Sequence, residues 1–219
     1  MADVLTLRSD YVLSLTSNIR SKDATNETRH RALIELGSEI GEAIVEAYFL
    51  KSAEVLTSSG GSRLLPVRQT PLTVLATPRG DLSHLHQGLL RSIPNAHSAW
   101  VDFGGERDAE RLKAVRGTSS WANVGQTPVH TLIIGKAVLA TGCTAVELTR
   151  RAIGRYTPKH VIVTAVVWAE SGVELIKREF PSATLIVVGE PDVLVEGDML
   201  FPGLANVDNI TLKEGSDVA

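Results

Sequence analysis

The run at residues 161–167 most limits what this chain can fold into, because it is apolar apart from one threonine and rich in β-branched residues. A short apolar run of this kind is typical of a strand that is buried on both faces. Further short strands are predicted at residues 72–77, 99–103, 130–135 and 184–188. Such strands belong in the interior of a sheet, between two layers of other elements.

The segments between these strands have helical periodicity. In residues 26–49, apolar side chains recur at every third or fourth position, and Glu35, Glu39 and Glu42 lie on the other side. Shorter helices are predicted at residues 82–90, 144–156 and 173–180. Buried strands that alternate with helices predict an α/β fold with a mostly parallel sheet flanked by helices on both faces.

Length and charge limit the class of protein. The 219 residues fit a single domain, 1–219, with an N-terminal helix at 26–49 and a polar, glycine-bounded segment at 104–125 that we interpret as a projecting arm or lid. The net charge of −3 argues against a general nucleic-acid binder, which would carry a basic surface. The sequence has no apolar run of the roughly 18 residues that a membrane span needs, and its start does not resemble a signal peptide. A cytoplasmic protein is therefore predicted.

Ligands of parallel α/β domains bind at the carboxyl ends of the strands. Residues 78–80, 139–144 and 170–172 follow predicted strands, and in the second of these segments Thr-Gly-Cys-Thr opens a helix. Backbone N–H groups at a helix start bind anions, and Gly142 lets the backbone approach a ligand. The segment therefore predicts a phosphate site. A helix-capping turn without a ligand fits the same spacing equally well.

The wider sequence resembles the uracil phosphoribosyltransferases, which have the type I phosphoribosyltransferase fold. Residues 136–144 are similar to the family's loop for the diphosphate sugar PRPP, usually read D-P-M-L-A-T-G-G-S/T. Arg79 lies where the family has P-I-L-R-A-G, residues 167–172 resemble V-A-A-P-E-G, and residues 202–204 match the P-G-L of the uracil-binding tail. Residues 19–44 also resemble the family's first helix and its lead-in, so most of the chain is covered in the right order.

The resemblance implies a role for each matching segment. The implied 5-phosphate site is Ala140, Thr141, Gly142, Cys143 and Thr144, the implied diphosphate contact is Arg79, and the implied base site is Leu200, Phe201, Gly203 and Asn206. The resemblance also implies PRPP as substrate, Mg²⁺ without a protein side chain as ligand, and a homo-oligomer, most simply a dimer. The long apolar face of residues 26–49 is expected to supply the contact between subunits.

Several positions depart from the family pattern. Lys136 stands where the family's loop has an acidic residue that bonds the ribose hydroxyls, and a lysine cannot accept a hydrogen bond. Gly104 replaces an arginine that contacts the diphosphate, Asn206 replaces an aspartate of the base site, and Cys143 replaces a glycine. The resemblance therefore implies a preserved 5-phosphate end and altered ribose and diphosphate ends.

Other side chains near these segments have two interpretations each. Cys143, the only cysteine, is either a small residue in place of glycine or a reactive thiol at a helix start. Lys136 either pairs with an anionic ligand or is a solvated residue at a strand end. His84 and His86 do not share a helix face, so structural roles are expected rather than metal binding. Trp121, in the predicted arm, is expected to act as a lid or a dimer contact.

Three functions fit this sequence. The first is a phosphoribosyltransferase that moves ribose 5-phosphate onto a pyrimidine-like or other small heterocycle. The second is an enzyme of a specialised pathway that acts on a different phosphorylated or nucleotide ligand, and the third is a non-catalytic regulator that binds nucleotides. Because Lys136 removes hydrogen-bond acceptors from the ribose site, turnover of PRPP with uracil is expected to be weak or absent, with binding of phosphorylated ligands retained.

Overall fold

A computed structural model describes residues 3–78, 83–102, 107–108, 111–112, 119–125, 128–195 and 199–204. Along the chain the elements are β1 (Val4–Leu7), α1 (Asp10–Arg20), α2 (Asn26–Ile44), a π-helical turn (Val45–Phe49), β2 (Leu50–Leu56), β3 (Ser62–Arg68), β4 (Thr73–Pro78), α3 (Ser83–Ser92), β5 (Ala96–Val101), β6 (Arg107–Asp108), β7 (Arg111–Leu112), β8 (Thr131–Gly135), β9 (Val138–Leu139), α4 (Cys143–Tyr156), β10 (His160–Ala165), β11 (Val167–Trp168), α5 (Glu170–Glu179), β12 (Thr184–Val188), β13 (Val193–Val195) and β14 (Met199–Phe201). Six of the strands form one sheet in the order β1-β12-β10-β8-β4-β5.

Every strand pair in this sheet is parallel, which confirms the α/β architecture expected from the sequence. Successive residues of a strand face opposite sides of a sheet. In β8, Ile133 packs with α1, α2 and α3, whereas Leu132 and Ile134 pack with α4 and α5. The sheet therefore has a core on each face, and the apolar runs of the sequence are apolar because both faces are covered.

The predicted helix at residues 26–49 is α2 followed by the π-helical turn, and its apolar face is buried inside the chain. Leu36, Ile40 and Ile44 are fully buried in the core on one side of the sheet. A β-carbon built on Gly88 of α3 would lie 2.0 Å from the carbonyl oxygen of Ile34, so the backbones of α2 and α3 are in direct contact. The expectation that this face joins two subunits is therefore wrong, and the homo-oligomer itself stays a prediction.

The last residues of the predicted arm lie on the body of the protein. Ser120 exchanges two backbone hydrogen bonds of 2.8 Å with Trp100 at the end of β5. Trp121 packs edge-on against Tyr156, whose hydroxyl donates to the carbonyl of Ala122 over 3.1 Å. Trp121 thus packs against the core beside α4 rather than projecting as a lid, and Gly104 and half of the predicted arm lie outside the described residues.

Several elements were not predicted from the sequence. β1 and α1 precede the first predicted helix, and β1 adds an edge strand that pairs with β12. β2 and β3 form an antiparallel hairpin, and β13 and β14 form a second hairpin in the tail. None of the helices in the described part of the chain is long and apolar enough to cross a membrane.

Candidate active site

The predicted phosphate segment is a tight turn between β9 and α4. Gly142 precedes the first residue of α4 with φ of 86°, a left-handed conformation that glycine adopts without strain. The N–H of Val146 bonds the carbonyl of Gly142 over 2.9 Å, so the N–H groups of Thr144 and Ala145 have no carbonyl partner within the helix. Thr141 and Thr144 are partly exposed. The turn therefore offers backbone donors, hydroxyls and the positive end of a helix dipole to an anion.

This phosphate turn, residues 140–144, is held from behind by the start of α5. A β-carbon on Gly172 would lie 2.4 Å from the carbonyl oxygen of Ala140, and one on Gly142 would lie 2.9 Å from that of Gly172. Leu139 pairs with Trp168 in the short parallel pair of β9 and β11. Only glycines permit so close a contact, which fixes the backbone of the turn against α5.

The predicted base segment begins in β14, the second strand of the β13–β14 hairpin, and continues beyond it. Leu200 packs against the core, and Phe201, on the other face of the hairpin, is exposed. Gly203 has φ of 58°, and its N–H donates to the carboxylate of Asp192 over 3.0 Å. Arg20, which ends α1, donates to the same carboxylate oxygen over 2.8 Å.

Sequence reasoning assigned no role to Arg20 or Asp192. The two residues lie 172 positions apart, and no local spacing links them. Asn206, the remaining predicted base contact, lies outside the described residues, as does Arg79, the predicted diphosphate contact. The roles of Leu200, Phe201 and Gly203 at the base stay predictions.

The similarity to known proteins extends over both the phosphate turn and the turn at Gly203. The family model for uracil phosphoribosyltransferase matches residues 6–210. The chain belongs to the uracil phosphoribosyltransferase family. The family assignment confirms the resemblance and, with it, the predicted enzyme class of phosphoribosyltransferases.

The relatives of this family member are distant in sequence but matched over most of their length. The uracil phosphoribosyltransferase of Thermococcus sibiricus is 24% identical over 201 residues, which are 90% of this chain and 84% of that protein. The uracil phosphoribosyltransferase of Pyrococcus furiosus is 23% identical over 208 residues, 94% of this chain and 88% of that protein.

Solved structures share the fold of this uracil phosphoribosyltransferase family member. The AQ2163 protein from Aquifex aeolicus superposes with a TM-score of 0.75 at 21% identity and covers 94% of this chain and 96% of that chain. Adenine phosphoribosyltransferase from Trypanosoma brucei, solved with AMP, pyrophosphate and ribose-5-phosphate, gives a TM-score of 0.51 at 12% identity, with 86% and 84% coverage. The type I phosphoribosyltransferase fold expected from the sequence is confirmed.

Within this family fold, Lys136 lies at the carboxyl end of the central strand β8. Its backbone N–H donates to the carbonyl of Thr164 over 3.2 Å, and the residue is partly exposed. Cys143, also partly exposed, is the first residue of α4. The position of Lys136 is the one that an acidic side chain occupies in the family motif.

A buried histidine supports the end of β4, directly before the segment that contains Arg79. The ring nitrogens of His86 lie 2.7 Å from the hydroxyl of Thr77 and 2.9 Å from the hydroxyl of Ser98, and its ring packs on Trp100. Burial lowers the pKa of His86 to about 4, so the ring is neutral at physiological pH. His86 therefore serves as a polar link inside the core.

Proposed function

We propose that this chain is a phosphoribosyltransferase whose phosphate turn binds the 5-phosphate of PRPP or of another phosphorylated ribosyl or nucleotide ligand. The proposal rests on one observation, the solvent-open turn at the start of α4 that Gly172 holds in place. The segment from Leu200 to Gly203 would receive a pyrimidine-like or other small heterocyclic base through its main chain. Such a protein accelerates transfer mainly by positioning the two reactants and by stabilising developing charge.

Each part of the ligand has a proposed site. The 5-phosphate would bind Ala140, Thr141, Gly142, Cys143 and Thr144, the diphosphate would bind Arg79, and the base would bind Leu200, Phe201, Gly203 and Asn206. Within the described ranges, no group of three His, Cys, Asp or Glu residues could hold a metal ion. The family resemblance implies Mg²⁺ bound as part of the PRPP complex, and we assign it no protein ligand.

Lys136 supports a second candidate. A cation at the carboxyl end of β8 cannot accept hydrogen bonds from ribose hydroxyls, but it suits a ligand with a further anionic group. The alternative is an enzyme that acts on a different phosphorylated ligand, or a regulator that binds nucleotides without turnover. Both candidates share the phosphate turn and differ in whether PRPP and uracil are converted.

We also propose that the protein is a cytoplasmic homodimer that works in pyrimidine metabolism. With the α2 face buried inside the chain, support for the dimer comes from the β2–β3 hairpin. Leu56 and Leu64 lie on the same face of this hairpin and are 81% and 73% exposed. A two-stranded hairpin with exposed leucines is marginal alone, and a second copy that covers it would stabilise it.

The proposal is tested by thermal unfolding with ribose 5-phosphate, UMP, PRPP with Mg²⁺, and uracil alone. Ligands that carry a phosphate should raise Tm in a concentration-dependent way, since they bind only the folded state. Uracil alone should have the smallest effect, because it lacks the group that the turn recognises. No shift from any phosphorylated ligand at millimolar concentration would contradict the proposal.

A further inference from the structure

The turn at Gly203 is held by an ion pair whose members come from opposite ends of the chain. Oδ2 of Asp192 accepts hydrogen bonds from Nη1 of Arg20 over 2.8 Å and from the N–H of Gly203 over 3.0 Å. The same Nη1 donates to the carbonyl of Gly203 over 3.2 Å. Both backbone polar groups of Gly203 are therefore occupied, which fixes the two peptide planes on either side of this residue.

The ion pair is shielded from water. The side chains of Arg20 and Asp192 are 22% and 5% exposed. A second ion pair joins Arg8, which lies between β1 and α1, to Glu190, two residues before Asp192, and its side chains are 57% and 72% exposed. Hydrogen bonds to a charge are stronger in a low-dielectric interior, whereas exposed pairs contribute little. The structure thus contains a buried Arg–Asp pair, the clamp formed by Arg20 and Asp192, and an exposed Arg–Glu pair whose carboxylate lies two residues before Asp192.

The clamp is also connected to the phosphate turn. The backbone N–H of Asp192 donates to the carbonyl of Trp168 over 2.7 Å, and the indole N–H of Trp168 donates to Val188 over 2.9 Å. Trp168 pairs with Leu139, the residue directly before Ala140. The backbone of Asp192 is therefore hydrogen-bonded to the short parallel pair of β9 and β11, which also supports the phosphate turn.

From these contacts we infer that Arg20 and Asp192 are positioning residues. They hold the base-binding turn, residues 200–203, in a fixed position relative to the phosphate turn. The inference rests on the proposed function, in which one ligand spans both turns. Among the described residues, few other contacts hold this segment, because only one face of the β13–β14 hairpin packs on the core while Val193, Val195, Met199 and Phe201 are exposed. Small displacements of a bound reactant weaken binding and reaction, so the clamp controls affinity for the base end of the ligand.

The test compares two ligands in the full chain by calorimetric titration. The first is ribose 5-phosphate, and the second is whichever of UMP, CMP and AMP the unmodified chain binds most tightly. Asp192→Asn and Arg20→Gln should weaken nucleotide binding by about tenfold or more, while the affinity for ribose 5-phosphate changes by less than about twofold, with tenfold corresponding to about 1.4 kcal/mol. Arg20→Lys keeps the charge but not the planar fork of the guanidinium. Its nucleotide affinity should lie between that of the unmodified chain and that of Arg20→Gln.

Glu190→Gln is the matched control and should leave both affinities unchanged. Equal loss for both ligands would reduce the clamp to a general structural role, and unchanged nucleotide affinity in Asp192→Asn and Arg20→Lys would also overturn the inference while leaving the proposed function intact. If Asp192→Asn does not fold, Arg20→Lys decides alone. Failure of the unmodified chain to bind any nucleotide more tightly than ribose 5-phosphate would instead remove the base end of the proposed function, and the inference with it.

Discussion

A β-carbon on Gly172 would lie 2.4 Å from the carbonyl oxygen of Ala140, so the first turn of α5 touches the phosphate turn backbone to backbone. Gly172→Ala should therefore push the turn out of place and weaken binding of ribose 5-phosphate by about tenfold or more, together with a loss of stability. Gly154→Ala in α4 is the control, because nothing lies within 4 Å of a β-carbon there. That variant should bind normally and gain up to about 1 kcal/mol of stability. Equal affinities in the two variants would contradict the packing we describe.

Gly142 combines a left-handed backbone with a close contact. Its φ is 86°, and a side chain would meet both the backbone and Leu175 of α5. Gly142→Val should abolish binding of phosphorylated ligands, measured by titration with ribose 5-phosphate, because a β-branched residue cannot keep this conformation. Gly125, with φ of 69° and nothing within 4 Å, provides the control. Gly125→Val should lose some stability through backbone strain but keep its ligand affinity, and retained affinity in Gly142→Val would refute the assignment of the turn.

His86 predicts a pH dependence of stability. Its folded pKa of about 4 lies below its ordinary value of 6.5, because burial disfavours the charged ring. The stabilisation is therefore complete above about pH 6.5 and is lost as the pH falls towards 4. Between about pH 7.5 and pH 5 the free energy of unfolding should fall by about 2 kcal/mol through this group. Urea unfolding at both pH values should show a smaller fall in His86→Gln, whereas His97→Gln, at an exposed position on β5, should keep the full fall.

The β2–β3 hairpin predicts where a second copy binds. Unmodified protein should have the mass of a dimer by light scattering at micromolar concentration, and Leu64→Glu should shift it towards the monomer, because a charge would be buried at the contact. Leu13→Glu, at an exposed leucine of α1, should leave the mass unchanged. A monomeric mass for the unmodified chain would rule out the proposed dimer.

The parts of the fold that could be predicted are those whose environment leaves a local pattern. β10 is covered on both faces, so its residues 161–165 are apolar apart from Thr164, and the helix at α2 shows the spacing of a single buried face. The phosphate turn was predictable because it lies within a short segment, with Gly142 directly before the helix. These features depend on neighbouring residues in the sequence and need no knowledge of distant ones.

The parts that escaped prediction depend on contacts between distant segments. Arg20 and Asp192 acquire a role only when the fold brings them together, and neither stands out in its own segment. The apolar face of α2 indicates that another element covers it. It does not identify that element as α3, which approaches through the contact of Gly37 with Gly88. The strands of the β2–β3 hairpin are mostly exposed, so no burial pattern marks them.

We propose that the chain keeps the 5-phosphate site of its family while Lys136 disables the ribose site. Losing two charge-assisted hydrogen bonds at about 1.5–3 kcal/mol each should lower kcat/KM by roughly two to four powers of ten. The most direct measurement is formation of uridine monophosphate from PRPP, Mg²⁺ and uracil, by the unmodified chain and by Lys136→Asp. We expect weak or absent product with the unmodified chain despite measurable binding of phosphorylated ligands, and a rise in activity in the variant. Robust product formation by the unmodified chain would contradict this account and return the protein to the ordinary uracil phosphoribosyltransferases.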